Sequence, residues 1–204
     1  MLTKEQIEII RKDPAIKQWN LSSLYNNISE DFIREFQDYV SWFFVSSSSK
    51  LSEDFIREFQ DKVNWEKISE FQTLSLSFIR EFQNKVHWWH ITRNQKLPMD
   101  FIWEFKFSIN IGEAFSYQVL SEDFIKKYIN DHNSWVIYSA QNLSEEFIRE
   151  ELPYFTKSEW EKISKYQRLS KAFIAEFIDK LSLTYLLQNK KLLQDTKDYI
   201  RMFA

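Results

Sequence analysis

With 204 residues, 44% of them hydrophobic and 18% aromatic, the chain carries enough apolar surface to bury a sizeable core and is not compositionally disordered. Its formal net charge of −3 at pH 7 argues against a nucleic-acid binder that works by neutralising phosphates. The lack of cysteine excludes disulfides, thiolate zinc sites and cysteine nucleophiles. A single glycine, Gly112, excludes the glycine-rich loops that cradle nucleotide phosphates.

In chain order, the segment from Met1 to Trp19 is charged throughout and lacks the apolar core of a secretory leader. No stretch approaches the roughly 18 apolar residues of a membrane span. Residues 1–27 are expected to form an N-terminal cap that ends in a degenerate half-copy, Trp19–Asn27. A tandem array follows over 28–191. Ser29 to Val40 reads SEDFIREFQDYV and Ser52 to Val63 reads SEDFIREFQDKV, one position apart in identity. Copies begin at Ile28, Leu51, Leu74, Leu97, Leu120, Leu143 and Leu169, with a step of 23 residues five times and then 26 once. Pro153 marks the longer step, near Leu152–Thr156. Residues 192–204 are expected to close the array. The last stretch, Leu181 to Ala204, reads either as a basic amphipathic helix that touches a membrane or as a capping helix, and Asp195 and Asp198 dilute its charge in favour of the cap. Repetition of this period predicts an all-α fold, an α-solenoid of about eight tandem helix-pair repeats in a single domain.

Each copy divides into two helices. In the Leu51 copy Ser52 is an N-cap, followed by Glu53 and Asp54 where the helix dipole favours negative charge. Phe55, Ile56, Phe59 and Val63 share one face of a first helix. Arg57 with Asp61, and Glu58 with Lys62, are spaced as solvent-side ion pairs. Asn64 caps a second helix that starts at Trp65 and carries Ile68 and Phe71 inward. Each helix is too short to be stable alone, so the copies must stack.

The motif LSEDFIREFQDKVNW, with Ile68 and Ser69 following and Gln72 closing the second helix, resembles a repeat of proteins from giant DNA viruses of the marseillevirus and mimivirus kind. The resemblance covers nearly the whole chain. It is most specific in Leu51–Gln72, weaker from Leu97 and poor before Trp19. It implies a repeat fold and a viral origin, with a place in the host cell interior or the virion, and it carries over no functional residue.

Chemistry is tested against the repetition. Phe32, Phe55, Phe78, Phe101, Phe124, Phe147 and Phe173 recur, each followed by isoleucine; a residue present in every copy packs the core, whereas a catalytic residue is needed once. Glu35, Glu58, Glu81, Glu104, Glu150 and Glu176 read by the same logic as a solvated or capping ladder rather than acid–base carboxylates. Gln72, Gln95, Gln118, Gln141 and Gln167 form either a ligand-binding strip or a ladder that satisfies helix ends. His87 and His90 have the spacing of a metal pair, but no third ligand is apparent near them in the sequence, and His132 stands apart. The serines fall mostly at N-caps, with a run at Ser46–Ser49, and no nucleophile with a tuned histidine emerges. No catalytic residue, cofactor or metal ligand is therefore assigned, and the chain is not expected to be an enzyme.

Departures from the repeat carry the functional expectation. Where the Leu51 copy has Glu66 and Lys67, others have Phe43 and Phe44, Trp89 and His90, or Trp135 and Val136. Trp103 replaces Arg57. Charged places turned aromatic predict either an interaction surface at Phe43, Phe44, Trp89, Trp103 and Trp135, or local repacking, with Trp135 standing in for a tryptophan shifted by one place. The leading expectation is a protein-interaction or scaffolding module with a protein partner or a second copy of itself. A packaged component of a virus particle and a nucleic-acid-binding repeat protein are the alternatives.

Overall fold

The computed structural model describes residues 8, 9, 11–13, 28–48, 50–129 and 134–203. Most of the cap expected over 1–27, together with Ser49 and His132, lies outside the described residues. The chain divides into two compact units, Met1–Leu97 and Pro98–Ala204.

Both units are all-helical stacks of helix pairs, and no strand occurs among the described residues. The first unit holds α1 (Glu30–Glu35), α2 (Trp42–Ser48), α3 (Glu53–Glu58), α4 (Trp65–Phe71), α5 (Leu76–Glu81) and α6 (Trp88–Asn94). The second holds α7 (Met99–Glu104), α8 (Ile111–Tyr117), α9 (Glu122–Tyr128), α10 (Ser134–Ala140), α11 (Glu145–Glu151), α12 (Lys157–Tyr166), α13 (Lys171–Glu176), α14 (Leu183–Gln188) and α15 (Gln194–Arg201). Second helices pack on second helices: α2 on α4 and α4 on α6 in the first unit, and α8, α10, α12 and α14 in succession in the second. Helix α15 closes on α14 with Ile200 fully buried, the role of a cap. No helix among the described residues is long and apolar enough to cross a membrane.

The first helix of each pair is shorter than its apolar spacing suggests. Ser52 caps α3 by accepting from the Phe55 amide, and the helix ends at Glu58. A turn over 59–63 follows, in which the Lys62 and Val63 amides both donate to the Phe59 carbonyl. Val63 is buried through this turn. The turn also removes the expected ion pairs within the copy, because Asp61 and Lys62 are no longer one helical turn beyond Arg57 and Glu58. Arg57 instead reaches Asp54 at 2.9 Å and, in the next copy, Glu81 at 2.9 Å. Lys62 reaches back to Asp38 at 3.1 Å.

Bonds between copies recur at the same register. Arg34 pairs with Glu58, Arg57 with Glu81, Lys126 with Glu150 and Arg149 with Glu176, so these repeated glutamates form ion pairs between copies. These arginines also lie over Phe55, Phe78 and Phe173 of the following copy. Ser69 donates to the Trp65 carbonyl at 2.7 Å and accepts the His87 amide at 2.9 Å; Ser46 and Ser164 do the same for their copies. Glu53 accepts the amide and hydroxyl of Ser75, capping the next first helix.

The buried glutamines satisfy helix ends. Gln72 accepts the Leu51 amide and donates to the Ser46 carbonyl. Gln141 accepts the Leu120 amide and donates to the Phe115 and Gln118 carbonyls. Gln167 repeats the pattern, and Asn189 replaces it at the last turn. Of the two readings of this series, the hydrogen-bonding ladder holds. The longer step at Pro153 is absorbed by a 3-10 turn over Leu152–Tyr154 and by α12, which starts at a capping box formed by Thr156 and Glu159.

Candidate functional site

The outward positions of the second helices are where copies differ most. In the first unit one register place holds Phe43, Glu66 and Trp89; in the second unit it holds Gly112 and Trp135. The buried side of α4 is centred on Ile68, Ser69 and Gln72, which leaves residue 66 facing outward. Phe71 is exposed at 55%, contrary to the inward place its spacing from Ile68 predicts. It sits roughly a third of a turn away from the centre of the buried face, and its ring lies beside Lys67 Nζ.

Of the aromatic departures, Phe43 is 48% exposed and Trp135 is 56% exposed. Phe44, Trp89 and Trp103 are half-buried. Phe43 meets Phe44 edge-on at 5.5 Å, and Lys67 Nζ stands 5.5 Å from the Phe43 ring centre. Trp89 packs edge-on against His90, with the Arg93 guanidinium over its ring at 5.1 Å. Trp103 meets Phe124 edge-on at 4.9 Å, with Lys106 and Lys127 beside its ring. It thus does for Phe124 what Arg57 does for Phe78, an aromatic contact in place of a cation.

Trp135 does not fill the usual tryptophan place. Trp65 packs against Phe78 and Phe82 and donates its indole N–H to the Gln60 carbonyl. Trp160 holds the matching packed position against Phe177 and is buried. Trp135 points outward instead. Phe107, 92% exposed, is a further aromatic departure that sequence reasoning missed. Its signal is the comparison with Asp38 and Asp61, which hold the same place in earlier copies.

The structure does not complete the histidine pair as a metal site but groups His90 alone with two carboxylates of the preceding copy. Glu66 and Glu70 on α4 converge with His90 on α6, their ligating atoms within 4.8 Å of one another. The His90 imidazole is buried, and burial pushes its pKa below the ordinary histidine value, against the pull of Glu70. A hydrogen bond from Lys67 holds the Glu70 carboxyl below its ordinary range. His87 begins α6 in the N-cap place of Asn64 and Asn110 but makes no side-chain cap bond. Its ring centre lies 4.9 Å from that of His90. Adjacency of the two α-helices explains why linear spacing hid this group: its members are separated by a whole copy.

In the second unit a cavity of about 430 Å³ is lined by Tyr138, Glu151, Tyr154 and Glu159 among others. Burial raises the Tyr138 phenol, and burial raises the Glu151 carboxyl. Set against known proteins, the chain matches no family model, no curated protein and no solved structure.

Proposed function

We propose that the chain is a non-enzymatic helical-repeat protein that serves as a protein–protein interaction or scaffolding module. One observation carries this reading. The register place that holds the charged Glu66 in one copy holds Phe43 and Trp135 in others, and both aromatics stand about half exposed. Exposing such apolar area lowers solubility unless a partner covers it, and a few buried aromatics dominate the energy of most interfaces. Glu58, Glu81 and Glu176 support the non-enzymatic part, because each is spent on pairing with an arginine of the preceding copy. The resemblance to giant-virus repeat proteins supports a viral origin and brings no activity with it.

The test restores the repeat's own chemistry, Phe43→Glu with Trp135→Glu. Helical content and thermal midpoint should hold, while self-association in sedimentation or binding of the protein partner should weaken by at least about tenfold, the loss of a hot-spot residue. Unchanged association, or unfolding of the double variant, would refute the reading.

A further inference from the structure

One group of polar side chains gathers between two second helices of the first unit. Glu66 and Glu70 stand one turn apart on α4, and His90 faces them from α6. His90 Nε2 lies 3.9 Å from Glu66 Oε1 and 4.0 Å from Glu70 Oε2, too far for a hydrogen bond. His90 is 9% exposed, and its Nδ1 is buried without a hydrogen-bond partner. Buried imidazoles ordinarily find partners. The other ring nitrogen, Nε2, faces the two carboxylates from beyond hydrogen-bond distance.

We propose that Glu66, Glu70 and His90 bind one divalent transition-metal ion of the zinc class, tying the copy that starts at Leu51 to the copy that starts at Leu74. Zinc holds imidazole nitrogen and carboxylate oxygen at about 2.0–2.2 Å, which places such atoms about 3.4 Å apart around a tetrahedral ion. The two imidazole–carboxylate separations need to close by roughly half an ångström to reach that geometry, and the two carboxylates, whose oxygens lie within 4.8 Å of each other, by up to about 1.4 Å, which rotation of the exposed Glu66 side chain can supply. One imidazole and two carboxylates leave a position for water. The two carboxylate charges match the charge of the ion.

The ammonium of Lys67 now holds that charge. Its Nζ lies 2.7 Å from Glu70 Oε2 and 3.8 Å from Glu66 Oε1, so it competes with the metal. The Phe43 and Phe71 rings flank it at 5.5 and 5.6 Å and give the displaced ammonium a place over their faces. The repeat register strengthens the assignment. The place of His90 holds Phe44 and Lys67 in the two preceding copies, and the place of Glu70 holds Ser47 and Arg93 in its neighbours. These three ligands therefore meet at this junction and not at the one before it. A residue set assembled once among the described residues, in a chain built by repetition, has a local task.

The experiment titrates the full-length, chelator-treated protein with Zn²⁺ by calorimetry and with Co²⁺ by visible absorption. One ion per chain is expected, with a rise in thermal midpoint. His90→Ala and Glu70→Gln should each weaken uptake by at least about tenfold, and Lys67→Met should strengthen it by about as much. Where His90→Ala fails to fold, Glu66→Gln on an exposed side chain makes the same test. No uptake by the natural chain at large ion excess overturns the proposal, as does uptake that survives loss of His90. Uptake abolished by His87→Asn but untouched by Glu66→Gln and Glu70→Gln would assign the ion to the histidine pair alone, and this too overturns it.

Discussion

Gln95 donates its side-chain amide to the main-chain carbonyl of Gln72, 2.7 Å away and 23 residues earlier. The same side chain accepts the Leu74 amide through its carbonyl oxygen. One glutamine thus satisfies the end of one helix and the start of another, across the junction of two copies. Gln95→Leu keeps the volume but removes both bonds. Each buried group left unpaired costs about 1–3 kcal/mol, so urea denaturation should show a loss of at least that size.

Phe78 is fully buried, and Trp65 packs on its ring from the previous copy. Phe78→Ala should cost about 3–5 kcal/mol, as for other buried aromatics. Glu81 carries an exposed carboxylate whose partner is Arg57. Glu81→Gln should cost clearly less, since exposed ion pairs contribute little. Equal losses in the same denaturation experiment would mean that the inner and outer faces of the first helix have been exchanged.

Gly112 lies inside α8 with no positive φ, and an added Cβ would come 3.4 Å from Asn110 Oδ1, an ordinary contact. Nothing in the backbone requires glycine there. Gly112→Ala should stabilise the protein by about 0.5–1 kcal/mol through helix propensity and a less disordered unfolded chain. A thermal midpoint that falls instead would show that the outward face of α8 is covered by something the substitution disturbs.

Burial raises the Glu151 carboxyl above its ordinary value of 4.5, with Lys126 opposing and Glu150 adding to the rise. The folded chain therefore holds this proton more tightly than the unfolded chain. The stability that protonation contributes is complete below about pH 4.5 and is lost as pH rises through the folded value. Glu151→Gln should gain stability relative to the natural chain at pH 7 and lose that advantage near pH 4. Denaturation curves at the two pH values measure the difference, and a gap that does not change with pH would contradict the cause given.

Much of the fold was legible because repetition exposes its own logic. The serine N-caps at Ser52 and Ser75, the buried phenylalanine–isoleucine pairs and the glutamine series follow from what each copy needs. The boundary of the first helix was not legible, because Phe59 and Val63 are buried equally well by a helix or by a tight turn. Phe71 misled for a related reason. A spacing of three from Ile68 admits either side of a helix face, and the hydrogen-bonded Ser69 and Gln72 pull the face the other way. The grouping of Glu66, Glu70 and His90 was hidden because it depends on which second helices touch, a fact of packing that no spacing within one copy encodes.

The most direct measurement of the central claim places a photo-crosslinking amino acid at Phe43 or Trp135 and, as controls, at Asp54 or Glu146, exposed sites on the first helices. The protein is irradiated in the cells that produce it, and the adducts are resolved by mass. The account predicts protein adducts at 43 and 135, either to a second copy of the chain or to one recurring partner, well above those at 54 and 146. Equal yields at all four sites would contradict the claim that the aromatic departures mark the contact surface.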